Sequence, residues 1–326
     1  MTIFSVRRAL TAIAAGTVLL GTIPAHSQDS FPSKPVRFII PTAPGGNMDV
    51  LARLIADKLG QSWGQPVIVE SRPGANTILA TTAVARSAAD GYTALFTISG
   101  FTQNLVLQPN PQYKAEDFAP VSLVAAFPIA LAASTQLPAN DLAGVIKLAK
   151  ASPEKLTFGS YGVGSGGHVI GEGLNKAAGI KIKHVAYKGE APAFTDLVNG
   201  SIDLAYGSMG FYGRQISGGK VKLIAVANPA RLKNFPDVPT LAEAGFPGIN
   251  LPGWGGVLLP VSTPAEIVEK FSKEIQRVTA LPDVKEKIIG MGFEPVGSSS
   301  SDFGKQIASD VEQWGKIVRE SQITLQ

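Results

Sequence analysis

Cysteine is absent from the 326 residues of this chain, which excludes a disulfide framework and any thiol chemistry. Histidine is scarce, with His26, His168 and His184 the full set. His168 and His184 have no cysteine or carboxylate clustered at ligand spacing, so no metal is expected. A strong charge of one sign is also missing. Lysine and arginine number 29 against 25 acidic residues, a formal charge of +4, and no basic stripe gathers them. That is not a nucleic-acid footprint. The basic segment Lys181-Ile182-Lys183-His184 alternates with apolar residues, as one solvated face of a strand does. Beyond residue 23, no apolar run is long enough to cross a membrane.

The first residues hold a leader pattern. Arg7 and Arg8 precede an apolar run from Ala9 to Ile23, and Ala25-His26-Ser27 places small residues three and one before a cleavage point. Residues 1–27 therefore read as a secretory signal peptide. The run is too short for a transmembrane helix, and the arginine pair lacks the rest of a twin-arginine motif. With the mature chain starting near Gln28, 27 basic residues face 25 acidic ones, a charge of +2. What remains is long enough to bury two cores without staples, and two domains are expected.

Glycine is abundant where chemistry can use it. Residues 41–49 (PTAPGGNMD) join the apolar run 36–40 to a helical pattern at 50–55, and residues 159–168 (GSYGVGSGGH) join 156–158 to 169–172. Glycine lets backbone approach a guest closely, and the first turn of a helix presents N–H groups without partners. Such a junction binds anions without lysine or arginine. Two in one chain suit an anion with two heads, or one carboxylate shared by both loops.

Strand and helix patterns alternate along the whole chain. Strands are expected at 36–41, 67–70 and 92–98, with helices at 48–59 and 78–87 between them. Val50, Leu51, Leu54, Ile55 and Leu59 make the first apolar stripe. An apolar stretch at 121–133, interrupted by Pro128, reads as a strand leaving one sheet for another. The rhythm restarts with helices at 142–150, 168–178 and 191–199 and strands at 156–158, 184–187, 204–206 and 223–227. A return strand at 253–259 is followed only by helices, at 264–279, 282–290 and 301–320, the last capped by Ser301-Asp302. The expected fold is α/β, a two-lobed clamshell with two crossover hinge strands. Residues 28–125 and 251–326 would form lobe one, and 126–250 lobe two. Ligands of open α/β sheets sit beyond the carboxyl ends of the strands, where both glycine loops fall.

An ordered set of segments carries a resemblance. These are residues 35–49 (PVRFIIPTAPGGNMD), 70–74 (ESRPG), 89–92 (ADGY), 117–121 (DFAPV), 164–172 (GSGGHVIGE), 187–193 (YKGEAPA), 237–245 (DVPTLAEAG) and 293–295 (FEP). From about Phe31 to its end the chain resembles the periplasmic solute receptors of tripartite tricarboxylate transporters, the Bug receptors. The resemblance implies a type II periplasmic-binding fold, a monomer in the periplasm, and a small organic carboxylate as ligand. Aromatic, aliphatic and citrate-like acids all fall in that class. Its implied partners are the membrane subunits of the transporter. It implies no cofactor and no catalysis. By position, the ligand-holding residues carry over to Thr42, Ala43, Gly45, Gly46, Asn47 and Asp49 in lobe one, with Met48 a further candidate beside them. In lobe two they carry over to Ser160, Tyr161, Gly164, Ser165 and His168, with Gly166 a further candidate. Arg72, Ser99, Phe101 and Ser208 complete the candidate set. The chain departs from the family pattern at Pro41-Thr42, where aromatic residues usually follow the proline, and at residues 101–105 (FTQNL). Both segments border the expected cleft and bear on which acid is bound.

Competing readings are weaker on the residues. Gly162-Val163-Gly164-Ser165-Gly166-Gly167 satisfies G-x-G-x-x-G, but the window about twenty positions on is basic and apolar, without the acid a ribose needs. A serine hydrolase needs glycine two before and two after its nucleophile; Phe158, Val163 and Tyr206 stand two before Ser160, Ser165 and Ser208. A receptor feeding a sensor kinase is the alternative within binding proteins. Asp49 suits loop ordering near a helix start better than contact with an anion. His168 is balanced between contact and bracing, and Arg72 favours bracing a turn. Phe101, Tyr161 and Phe211 could stack on an aromatic guest, but loop aromatics more often line or fill a core. Trp254 reads as hinge or core. Glu172, Tyr187, Lys188 and Glu190 form a polar cluster near the second lobe's strand ends, where Glu190 and Lys188 read as a solvated pair or as a surface for the membrane partner.

Overall fold

The computed structural model describes residues 31–216 and 218–323; the leader at residues 1–27 lies outside them. Lobe one opens with β1 (Val36–Ile40), α1 (Asn47–Trp63), β2 (Val67–Ser71), α2 (Ile78–Ala85), β3 (Thr93–Ile98), α3 (Gly100–Leu107) and β4 (Phe118–Phe127). The second sheet then brings β5 (Ile129–Ser134), α4 (Leu142–Ala151), β6 (Thr157–Ser160), α5 (Gly166–Ala178) and β7 (Lys183–Ala186). After them come α6 (Glu190–Asn199), β8 (Leu204–Ser208), α7 (Met209–Ile216) and β9 (Val221–Ala227). The chain returns through β10 (Gly253–Pro260) to α8 (Ala265–Ala280), α9 (Pro282–Gly290), β11 (Glu294–Pro295) and α10 (Ser300–Glu320).

The first sheet has the order β11-β4-β10-β3-β1-β2, with β1 parallel to β2 and β3. The second runs β7-β6-β8-β5-β9, with β6 parallel to β7 and β8. In each, the parallel part needs helical crossovers, and the glycine loops are the strand-to-helix turns of those units. Between the sheets the chain crosses at Pro128, which has no N–H to continue a ladder. Its carbonyl accepts from Met209 N at 2.8 Å. The returning β10 lies antiparallel to β4 with Gly253 opposite Phe127, so the two crossing segments run side by side. Glycine is required in β10 because aromatics lie over it. A Cβ on Gly255 would sit 2.6 Å from Phe127 Cζ, and one on Gly256 would sit 2.4 Å from Phe303 Cζ.

Ile39, Leu95, Phe101, Trp254 and Leu258 centre the first core, and Leu131, Phe158, Val169 and Tyr206 centre the second. α10 joins them. Phe303 and Ile307 pack in the first core, while Trp314, Ile317 and Val318 pack in the second. A helix of its 21 residues spans roughly 30 Å, enough to reach both.

Several expectations differ in detail. α3 and α7 are absent from the sequence reading, as is β11. Each helix has eight residues, too short for a clear period, and glycine weakens its propensity. Those glycines answer to packing. A Cβ on Gly100 would meet Thr77 Cγ2 at 2.9 Å, and one on Gly210 would meet Met291 O at 1.9 Å. Ser299, not Ser301, caps α10, accepting from Asp302 N at 3.1 Å. Val50 leaves the α1 stripe for solvent at 44% exposure, because the buried face runs through Leu51, Ile55 and Leu59.

Trp254 is a core residue whose Nε1–H donates to Asp310 of α10, and Gln306 Nε2 donates to the other carboxylate oxygen at 2.8 Å. Burial pushes the Asp310 carboxyl up from 3.8 to about 6. The folded state therefore binds this proton more tightly than the unfolded chain. Its contribution to stability is complete below about pH 4 and is lost as pH rises through 6. Asp310→Asn keeps an acceptor for Trp254 and removes the titration. Denaturant unfolding of both proteins should show their stability difference changing by on the order of 3 kcal/mol between acidic and mildly alkaline pH. Parallel pH profiles would refute the shift.

Candidate functional site

A cavity of about 550 Å³ lies between the two sheets, a size suited to a small molecule. Its walls come from the carboxyl ends of strands, the starts of helices and the crossing segments. A larger hollow of about 670 Å³ on lobe two is bordered by the end of α5 and the start of β7, the opposite end of that sheet.

On the lobe-one wall stand Thr42, Asn47 and Met48. α1 begins here with Gly46 as its N-cap, and no side chain bonds the first-turn N–H groups in the cap position. Asp49 sits one turn in but points back. Its Oδ2 accepts from Gly45 N at 3.0 Å, and Arg53 pairs with Oδ1 at 2.9 Å. The Arg53 guanidinium holds the Asp49 carboxyl below its usual range, against the opposing effect of burial. The loop is tied down a second time where Ser71 Oγ donates to the Thr42 carbonyl. The Thr42 hydroxyl oxygen is buried and has no hydrogen-bond partner among the described residues.

The same wall continues through Asn76, Ser99, Gly100 and Gln103. Ala75, Asn76 and Thr77 all have left-handed backbone, with φ of 46°, 45° and 84°. Such conformations strain residues other than glycine and persist only where neighbours hold them. Asn104 is the holder. Its Nδ2 donates to Asn76 O and to Thr77 Oγ1, and its Oδ1 accepts from Asn76 Nδ2 at 3.2 Å. Ser99 closes the end of β3, its N–H donating to Trp254 O at 3.1 Å.

The second glycine loop faces the first, with Tyr161, Gly162, Val163 and Ser165 on the cavity. It uses its helix-start donors internally. Tyr161 Oη accepts from Gly167 N at 3.2 Å, Ser165 Oγ from His168 N at 3.4 Å, and His168 Nδ1 from Gly164 N at 3.1 Å. His168 thus braces the loop, and its ring stacks on His184 with centroids 4.0 Å apart. Burial lowers the pKa of both imidazoles, that of His184 to about 4. Beyond this loop, Glu190 at the start of α6 and Ser208 at the end of β8 complete the wall. Glu190 turns to Ser208, not to Lys188 as expected: Ser208 N and Oγ donate to its two oxygens.

Of the candidate residues, Thr42, Asn47, Met48, Ser99, Tyr161, Ser165 and Ser208 reach the cavity. Asp49, Ser160, Gly164 and His168 stand behind it as braces. Ala43, Gly45 and Gly46 are exposed beside the lining. A Cβ on Gly166 would lie 3.0 Å from Tyr161 Oη and 3.2 Å from Gln103 Nε2, so this glycine backs the wall where the lobes meet. Two candidates are structural. Phe101 is fully buried and stacks on Tyr113 at 5.2 Å, and exposed Arg72 pairs with Glu70 at 2.6 Å. Phe211 also packs internally, against Phe194 and Tyr212. Sequence reasoning missed Asn76, Gln103, Phe127, Glu190 and Phe293. Gln103 lay in a segment already marked as unusual, but nothing local links Phe127 to Phe293, whose rings meet at 4.1 Å.

Ser160 Oγ lies 2.7 Å from His184 Nε2, a pairing that invites a hydrolase reading. The serine is fully buried, and its hydroxyl donates to Gly162 O at 3.0 Å, which makes the imidazole the donor. A nucleophile needs the reverse.

Two α/β lobes, crossed twice and enclosing a cavity at their strand ends, define a binding-protein clamshell of the type II periplasmic kind. The model of the tripartite tricarboxylate transporter family receptor matches residues 51–323. BugT of Bordetella pertussis is 33% identical over 96% of this chain and 97% of its own length. R. palustris Rpa4515, solved with adipate, superposes with a TM-score of 0.81 at 31% identity, covering 90% of this chain and 99% of its own. MatC from Rhodopseudomonas palustris, with bound malate, gives a TM-score of 0.76 at 30% identity over 88% of this chain and 100% of its own. The chain belongs to the tripartite tricarboxylate transporter receptor family, a family of solute-binding receptors.

Near the cavity the lobes touch where α7 meets the turn after α9, at Gly210 and Gly292. Asn228 Nδ2 also reaches Glu294 Oε2 across the lobes at 3.3 Å. Gly210→Val would drive a side chain into the Met291 carbonyl and prop the lobes apart. Ligand affinity should fall at least tenfold while circular dichroism stays unchanged. Small-angle scattering should show a larger radius of gyration, and an unchanged radius with full affinity would remove this contact from closure.

Proposed function

We propose that this chain is a periplasmic receptor that captures a small organic carboxylate between its lobes and delivers it to a tripartite tricarboxylate-type membrane transporter. The observation that carries the reading is the start of α1. A helix N-terminus that no side chain caps borders a cavity whose lining, among the described residues, includes Thr42 and holds no lysine or arginine. Backbone N–H groups and the positive end of a helix dipole favour an anion there without a cation. Met48, Ile98, Phe127, Ile129 and Phe293 give the rest of the cavity an apolar lining suited to a carbon chain or ring. The adipate and malate of the two R. palustris relatives fit the same class of guest.

Function then follows from hinge motion between residues 28–125 with 251–326 and residues 126–250. A ligand touching both walls stabilises the closed form, since only there do both sets of contacts exist. Closing also excludes water, which strengthens each neutral donor. No covalent step takes part. The closed monomer is the species a transporter would recognise, and no helix among the described residues is long and apolar enough to cross a membrane itself.

Calorimetry against adipate, malate, citrate and aromatic acids tests the reading directly. At least one acid should bind; sugars binding where every acid fails would overturn it. Gly46→Val tests the seat. Gly46 has φ −76°, and the nearest atom to an added Cβ is Ala43 O at 3.8 Å, so the fold accepts a side chain. Valine would cover the helix start and should weaken binding at least tenfold with an unchanged melting temperature. Retained affinity would move the carboxylate elsewhere.

A further inference from the structure

Apart from the Tyr161 phenol, Glu190 is the one ionisable side chain lining the cavity among the described residues. A carboxylate in a cleft that takes carboxylates demands a physical account. Its neighbours fix what it can offer. Ser208 N–H donates to one Glu190 oxygen, and Ser208 Oγ donates to the other at 3.1 Å. The Ser208 oxygen in turn accepts from Phe211 N at 3.3 Å, so its single proton is committed to Glu190. Ser208, a candidate ligand contact on sequence, therefore presents no donor. This corner of lobe two is acceptor in character, and the opposing start of α1 is donor in character. The two lobes present opposite polarity to the cavity.

We infer that Glu190 determines specificity: it receives the ligand end remote from α1 and requires that end to bring a proton, as a hydroxyl, an amino group or a half-protonated second carboxylate. The inference rests on the receptor reading above and names its substrate class more closely. A fully ionised diacid would set carboxylate against carboxylate, and like charges so placed cannot both stay ionised. Binding such an acid must take up a proton, held between Glu190 and the guest. Burial already raises the Glu190 pKa, against the two hydrogen bonds from Ser208 and the charge of Arg214 on α7. The other titratable groups bearing on it are Tyr161 and Tyr212, both neutral phenols whose own pKa values burial pushes up.

Matched probes test this: adipate against 6-aminohexanoate, and terephthalate against 4-hydroxybenzoate, by calorimetry in buffers of differing ionisation heat. In the wild type, the amino or hydroxyl member should bind tighter at pH 8. The diacid should gain up to tenfold per pH unit on acidification and take up about one proton. Glu190→Gln supplies an amide donor. It should tighten the diacid at least tenfold at pH 8, abolish its proton uptake and weaken the donor-bearing member. Proton uptake by the wild type stands as a test even if the variant folds poorly. Acids that bind without proton uptake, and with a ranking unchanged in Glu190→Gln, would overturn the assignment and leave the receptor reading intact. Failure of every carboxylate to bind would overturn both.

Discussion

Asp49 sits in the first turn of α1, where its charge would cancel the helix dipole for any anion arriving from the cleft. Instead its carboxylate closes on Gly45 N–H and on Arg53, within its own loop and helix. That pairing does two things at once. It fixes the glycine loop, whose Gly45 has a φ of 85°, and it neutralises the one acid near the helix start. No side chain caps the start of α1, whose Asn47 and Met48 line the cavity. Without the pair the loop would lose its brace and the wall its sign.

The two glycine loops look alike in sequence and differ in chemistry. Both were legible as strand-to-helix turns, since the apolar periods on either side are long and the glycines mark the junction. Their use was not legible. In the second loop His168 on Gly164 N repeats the Asp49–Gly45 bond of the first, but Tyr161 and Ser165 also take up the N–H groups of Gly167 and His168, whereas no side chain caps the start of α1. Which side chain turns inward is set by packing across the loop, here by the stack of His168 on His184. Local sequence carries no trace of that stack. The same holds for Asn104, whose bonds to Asn76 and Thr77 span 28 and 27 residues of separation and keep three left-handed residues in place. Glu190 stood out as part of a polar cluster, but its partner, Ser208, lies 18 positions away at the end of β8.

Lobe architecture was readable for a related reason. Each βαβ unit has a period that a single sequence shows, and Pro128 marks the crossing between sheets. α3 and α7 escaped because they are short and glycine-bearing, each glycine serving a close contact with a distant segment. The family segments were informative for a different cause: they sit at turns and strand ends, where backbone geometry restricts residue choice more than a core does.

α10 sets how the clamshell can move. A helix seated in both cores resists simple separation of the lobes, since Trp314 and Ile317 would leave the second core if Phe303 stayed fixed in the first. Trp254 ties the return strand to the same helix through Asp310. An opening that kept α10 seated in both cores would pivot near the line of β4, β10 and α10, not translate one lobe from the other. The Gly210–Gly292 contact lies off that line, beside Phe293 on the cavity wall, where a small rotation gives a large change of gap. A pivot so placed moves Glu190 and Ser208 relative to α1 while leaving each loop internally rigid. On the proposed receptor reading, closure would select a ligand by its length and by the match of its two ends.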